Sequence, residues 1–276
     1  MEVLTNPSWQ FVVAAVVVLV ILRLIFGRGN SPLTKQISEI SESLAIAIFL
    51  VFLIIRPFVV QAYYIPSGSM RPTLLEQDRI LVNKFIFRFR EPTHGDVVVF
   101  RSPPSAQQDE KDFIKRVVGV PGDRIRVTPG YVLVDNVEWG HTELRAKLVD
   151  YSSAPCLLDV RVKLSPGAAY VDGKEVTKHD IAMAAGNPKA QVVIHPGAVY
   201  RNGERLSESY VAEDPDQPYP ISDTDTFTVP KGRIFVMGDN RNHSSDSRVW
   251  GLLDRGRVEG EAMFIFWPFN RVRWVR

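Results

Sequence analysis

The chain has 276 residues, 45% of them hydrophobic and 23% charged, with a formal net charge of +2. That length holds one large domain or two modest ones with a real core, and so small a charge excludes the electrostatic footprint of a nucleic-acid-binding protein. A single cysteine, Cys156, excludes an intrachain disulfide framework, and five scattered histidines without an H-E-x-x-H spacing give no metal site and imply no cofactor.

Two apolar runs come first. Phe11–Leu22 is uninterrupted and continues past Arg23 through Leu24, Ile25 and Phe26; Leu44–Ile55 continues past Arg56 through Phe58, Val59 and Val60. Each reaches the roughly 20 residues a bilayer requires only if its terminal arginine extends to the headgroups. Both are apolar on every face, unlike a surface helix with its single apolar stripe. They are read as two N-terminal transmembrane helices, with a pair of buried core helices as the alternative. The leading "MEVLTNPSWQ" has no Lys or Arg and no small-x-small site follows the run, which favours a retained anchor over a cleaved leader. Arg23, Arg28 and Lys35 put the intervening loop in the cytoplasm, so everything after residue 60 faces the other side. Ser31-Pro32 reads as an N-cap followed by Pro at N1, so the second helix begins before it enters the bilayer. The predicted segments are a first anchor at 1–27, a cytoplasmic loop at 28–42 and a second anchor at 43–60.

From Gln61 the period changes from helix to strand. "RILVNKFIF", "GDVVVF", "FIKRVVGV", "DRIRV", "GYVLVD" and "RIFVMGD" are β-branched or aromatic runs bounded by Gly, Pro, Asp and Asn. The predicted class is mainly β: a β-rich catalytic domain of curled sheets at 61–127 plus 228–276, carrying a β-rich insertion lobe at 128–227. Within the insertion, "YVDGK" and "YRNGE" place Asp-Gly and Asn-Gly between strand residues, the strongest short hairpin signal. The one helical candidate there is "HDIAMAA".

Three stretches carry possible chemistry. In "IPSGSMRPTLL", Ser67 and Ser69 flank Gly68, which permits an unusual backbone; the pattern fits a simple turn or a nucleophile held near a membrane. In "DFIKRVV", strand alternation puts Phe113, Lys115 and Val117 on one face. If that face packs, desolvation lowers the lysine pKa and a neutral amine can take a serine proton; otherwise the lysine reaches solvent at a strand edge. "FVMGDNRNHSSDSRVWG" is dense in groups that bond their own backbone. Pattern alone favours a surface loop there over a buried orienting network. Asp246 and Arg248 can pair across it, and a Ser-His-Asp triad using His243 and Asp246 stays open.

Together with the anchors, "IPSGSMRPTLL", "GDVVVF", "FIKRVVGVPGD" and "GDNRNHSSDSRVWG", in that order, resemble bacterial type I signal peptidases, the membrane-bound endopeptidases that remove signal peptides from exported preproteins. The resemblance implies a Ser/Lys dyad: Ser69 as nucleophile, Lys115 as general base, and Ser67 with the Ser69 N–H as oxyanion hole. Ser244 would position the lysine, supported by the Asp246/Arg248 pair. Tyr63, Ile65, Leu74, Phe113, Ile114 and Ser245 would line pockets for small residues before the cut. The implied partners are secretory preproteins and the lipid bilayer, with no nucleic acid. The implied place is the bacterial inner membrane, multi-pass, with the catalytic domain on the extracytoplasmic side. His94 stands where the family often has Arg, and "NRNHSS" replaces the commoner "NRDNS". The C-terminal "AMFIFWPFNRVRWV" reads as a core strand, with Trp267, Phe269 and Trp274 as a possible lipid-resting patch. The rival functions are a self-cleaving Ser/Lys protease and a catalytically inactive membrane-tethered scaffold that binds exported chains.

Overall fold

The computed structural model describes residues 2–3, 9–29, 31–55, 60–106, 111–148, 160–219 and 226–275. The chain divides into two compact units. The first comprises Met1–Ile65, Gln77–Glu91 and Gly260–Trp274, and the second Pro66–Glu76, Pro92–Glu259 and Val275–Arg276.

In the first unit, helices α1 (Trp9–Phe26) and α2 (Pro32–Phe49) form a hairpin clipped by an Arg23–Glu42 ion pair of 2.8 Å. Ser31 caps α2 by accepting from the Thr34 N–H, and Pro32 occupies the first turn, where its missing N–H costs nothing. α2 runs on into a π-helical turn, Leu50–Ile55. Among the described residues no helix is long and apolar enough to cross a membrane, so the two predicted transmembrane helices are not supported as such. The physical reason is length and polarity. The 18 residues of α1 span about 27 Å at 1.5 Å per residue, short of a hydrocarbon core of about 30 Å. α2 starts well before the apolar run and carries Lys35, Glu39 and Glu42 along its first turns. Residues 56–59, which end the second predicted anchor and include Arg56, lie outside the described residues, as does Cys156. The remainder of this unit is antiparallel sheet: Val60–Tyr64 pairs with Arg79–Asn83, which pairs with the strand Val258–Trp267. Two register shifts bend that last strand, and Arg273–Trp274 folds back on it.

The second unit is mainly β and carries the strands that matter for chemistry. Asp112–Gly119 is central, paired on one side with Val97–Arg101 and on the other with Arg233–Met237, and Arg233–Met237 pairs with Leu253–Asp254. Residues Ile114–Gly119 are buried on both faces. Three smaller antiparallel sheets follow in chain order. An apolar cluster of Val132, Leu144, Val162, Leu164, Ala169 and Ile181 is drawn only from residues inside the stretch 128–227. The hairpins at Asp172-Gly173 and Asn202-Gly203 form with positive φ at both turn positions, as the sequence predicts. "HDIAMAA" lies in α4 (Lys178–Ala184), started by a reciprocal Thr177/Asp180 cap. α3 (His141–Leu148) was not predicted.

Candidate active site

Ser69, Lys115 and the polar groups around them belong to the second unit. Ser69 sits in a single 3₁₀ turn, Gly68–Met70, with Met70 buried as its anchor. Gly68 does not adopt positive φ, contrary to the sequence expectation. What it supplies is room: a Cβ there would lie 2.8 Å from Glu76 Oε1 and 3.0 Å from Arg71 Nε, which form an ion pair over it. The turn is tied down from the other side by Asn240, whose N–H donates to the Ser69 carbonyl (3.1 Å) and whose Nδ2 donates to the Gly68 carbonyl (3.0 Å).

Lys115 projects from the middle of the strand Asp112–Gly119 and is only 4% exposed. Its Nζ lies 2.8 Å from Ser69 Oγ and 2.9 Å from the Ile114 carbonyl. Burial pushes this amine down from its ordinary 10.5 to about 8; the Asp246 and Asp239 carboxylates oppose the shift and the Arg248 guanidinium adds to it. A lysine within hydrogen-bond reach of a serine hydroxyl, and neutral in an appreciable fraction near neutral pH, can accept its proton.

Lys115 and Arg116 are both buried, so simple alternation does not leave one of them at the surface. Register explains where Arg116 goes. Met237 pairs with Arg116, so the loop that follows Met237 delivers Asp239 to it. The guanidinium donates to both Asp239 oxygens at 2.8 and 2.7 Å, and a third bond runs to the Gly95 carbonyl at 2.8 Å. Thr73 Oγ1 donates to Asp239 at 2.5 Å, joining the serine-bearing segment to the same carboxylate. The Tyr210 ring covers the Arg116 guanidinium at 4.0 Å.

The stretch Phe235–Gly251 is a buried network, not the surface loop that pattern favoured: Asp239, Asn240, Arg241, Asp246 and Ser247 are all buried. Asp246 receives Arg248 Nε and Nη2, both at 2.9 Å, and the Gly238 N–H at 3.0 Å. Burial alone would raise this carboxyl, but Arg248 and the backbone donors hold it below the usual carboxylate range. Arg248 also donates to the Arg241 carbonyl, and Arg241 pairs with Glu208 at 2.6 and 2.7 Å. Gly238 has no space for a side chain, because a Cβ would run into the Ser244 hydroxyl and the Ser69 carbonyl. The Ser244 Oγ is buried with no hydrogen-bond partner among the described residues.

His243 does not approach Asp246. Its ring is exposed, with Nε2 3.9 Å from Glu213 Oε2, which removes the Ser-His-Asp alternative. Asn242 accepts from the Asp216 N–H and donates to the Asp214 carbonyl, binding this loop to the 128–227 stretch. His94 pairs with Asp123 at 2.6 Å, away from the lysine.

Of the predicted pocket residues, Leu74, Phe113, Ile114 and Ser245 share the unit of Ser69, whereas Tyr63 and Ile65 belong to the first unit. Tyr63, Ile65, Leu74 and Ile114 are buried; Phe113 is half-buried, its ring centre 5.6 Å from Lys115 Nζ, and Ser245 is exposed. Ser67 is exposed and makes no capping bond. Sequence reasoning missed Thr73, Arg116, Glu208, Asp239, Asn240 and Arg241. The usable signal was "Lys-Arg" in the middle of one strand and "Gly-Asp-Asn-Arg" just past the end of its neighbour.

Comparison with known proteins identifies the family that the sequence resembles. A family model described as "Signal peptidase, peptidase S26" matches residues 37–155 and 160–267. A signal peptidase I from Aquifex aeolicus is 35% identical over 240 residues, covering 84% of each chain. A probable signal peptidase I-1 from Synechocystis is 30% identical, covering 88% of this chain and 90% of its own. A signal peptidase IB from Staphylococcus aureus is 29% identical, covering 87% and 94%.

Proposed function

The chain belongs to the signal peptidase family, peptidase S26, and from that premise we propose that Ser69 and Lys115 are its catalytic dyad. The protein is a serine endopeptidase, a hydrolase that removes signal peptides from preproteins. The observation that carries the dyad is the 2.8 Å separation of Lys115 Nζ from Ser69 Oγ, on an amine lowered to about 8.

Neutral Lys115 takes the Ser69 proton as Oγ bonds to the scissile carbonyl carbon. Collapse of the tetrahedral intermediate breaks the C–N bond, and the lysine ammonium returns the proton to the leaving amine. Lys115 then deprotonates a water that attacks the acyl ester, and Ser69 leaves with a proton. The oxyanion falls to the Ser69 N–H and the Ser67 hydroxyl, each such donor being worth roughly 3–4 kcal/mol in comparable enzymes. Ser244, with hydrogen-bonding capacity unspent, orients the amine, and the Asp246–Arg248 pair holds its loop. Leu74, Phe113, Ile114 and Ser245, which share the unit of Ser69, shape pockets for small residues before the cut.

Apolar side chains exposed on α1 and α2, including Phe11, Leu24, Ile25 and Ile40, support anchoring in the bacterial inner membrane, with the catalytic unit on the extracytoplasmic side. Exposed Trp267, Phe269 and Trp274 support contact with the lipid surface. The stretch 128–227 is assigned as an insertion lobe with its own apolar cluster.

The dyad is tested by Lys115→Ala assayed on a preprotein between about pH 6 and 10. Loss of about 10²–10⁴-fold is expected, while the wild type rises along an acidic limb near pH 8, where the amine loses its proton. Full activity of the variant across that range would remove Lys115 from the mechanism. For the lipid contact, Asp at Trp267, Phe269 and Trp274 should spare cleavage of soluble peptides and impair that of membrane-bound precursors. Equal loss on both would remove the patch.

A further inference from the structure

The second unit holds a cleft of about 820 Å³, lined by Pro72, Arg161, Lys163, Ser165, Tyr170 and Asp172 among others. Its volume falls within the roughly 300–1,000 Å³ of clefts that bind ligands. One wall is a sheet face. In the strand Val162–Ser165, Val162 and Leu164 point into the apolar cluster, so Arg161, Lys163 and Ser165 point the other way. Tyr170 pairs directly with Lys163 across the ladder and adds a hydroxyl to the same face. The neighbouring carboxylate, Asp172, already accepts from the Arg161 N–H at 2.9 Å. The face is therefore polar and net cationic.

The cleft adjoins the nucleophile. Pro72 is three residues beyond Ser69, which sets a reach of at most ~11 Å along the chain. An extended substrate advances about 3.3 Å per residue, so a polypeptide leaving Ser69 in this direction meets the Pro72 rim within about four residues. A preprotein has two flanks at its cleavage site: an apolar signal segment, which gains nothing from Arg161, Lys163 and Tyr170, and a polar mature segment, which does.

We propose that this cleft is a binding subsite for the mature flank of the preprotein, and that it selects carboxylate-bearing residues there. The assignment rests on the peptidase function above and extends it to a second determinant of substrate choice. Arg161 and Lys163 act on affinity, not on the chemical step.

The experiment uses soluble peptides that share one signal-side sequence and carry Asp, Ser or Lys at the third to sixth mature positions. Wild-type kcat/KM should fall in the order Asp, Ser, Lys, by about tenfold from first to last, carried in KM and shrinking as salt is raised. The double variant R161E/K163E should invert the order, and an unchanged circular-dichroism spectrum and thermal midpoint show that it is folded. An order unmoved by the charge reversal overturns the subsite while leaving the peptidase intact. Failure of the wild type to cut the Ser peptide overturns the peptidase reading and the subsite with it. Loss of binding to anionic phosphatidylglycerol vesicles in the double variant, with peptide preference unmoved, would assign the cleft to lipid and overturn the proposal.

Discussion

Two buried arginine–carboxylate pairs in the second unit are built from the same chemistry and end differently. Arg116 and Asp239 meet through two bonds of 2.7–2.8 Å, and Gly95 and Thr73 take up further capacity. Arg145 and Glu213 come only to 4.0 Å, and Arg145 Nη2 and Glu213 Oε2 are both without a hydrogen-bond partner among the described residues. Desolvation is a heavy cost for either pair, and only close, complete geometry offsets it. The first pair lies beside the dyad and links the serine segment to the lysine strand. The second lies under α3, where Arg145 Nε donates to the Val160 carbonyl and Glu213 Oε1 accepts from the Val162 N–H. Of the two pairs, the one beside the proposed dyad is the one whose bonds are close and complete.

The largest test of that contrast is Arg116→Ala. It leaves Asp239 charged and buried, and should cost about 3–5 kcal/mol in urea denaturation. A cost below about 1 kcal/mol would break the comparison. Lys115→Met probes a third buried charge with the opposite sign of effect. The folded pKa of about 8 lies below the ordinary 10.5, so between those values the unfolded chain binds more protons and wild-type stability rises with pH. Below pH 8 the buried ammonium costs about 3 kcal/mol, so the inactive variant should be the more stable by up to that amount at neutral pH. The gap should close as pH approaches 10.5.

Glu213→Gln sharpens the other side. Burial pushes the Glu213 carboxyl above its ordinary 4.5, against the opposing pull of Arg145, His243 and His141. A folded state that holds its proton longer than the unfolded one loses stability as pH rises from about 4.5 into the raised range. The variant should lack that decline and differ from wild type by about 1 kcal/mol or less at pH 7 in thermal unfolding. The smallest effect belongs to the solvent-facing Arg233–Asp254 pair, at 3.7 Å and about half exposed. Arg233→Ala should change stability by under about 0.5 kcal/mol.

Local rules made much of this legible from sequence. Asp172-Gly173 and Asn202-Gly203 had to turn, Ser31 had to cap, and the strand bearing Lys115 declared itself by β-branched neighbours. The hairpin at Asp135-Asn136 escaped because it reaches positive φ without glycine. Alternation could single out Lys115 but not foresee that Arg116 is buried too, since that depends on Asp239 and Tyr210 covering its guanidinium. Arg241–Glu208 and Asn242–Asp214 join residues about thirty positions apart, and nothing local encodes them. The apolar runs were legible as composition, whereas helix length was not: among the described residues no helix is long and apolar enough to cross a membrane.

Gly238 makes the dyad's spacing a property of one missing methyl group. Its amide holds Asp246, its carbonyl receives Arg241 Nε, and its bare Cα face lies where the Ser69 backbone and the Ser244 hydroxyl both press in. Any larger residue there presses on the Ser69 carbonyl and the Ser244 hydroxyl at once, and so should disturb folding and rate together. A displacement of about 1 Å can cost on the order of a hundredfold in catalysis. The spacing of the proposed nucleophile and base thereby depends on a position that takes no part in the reaction.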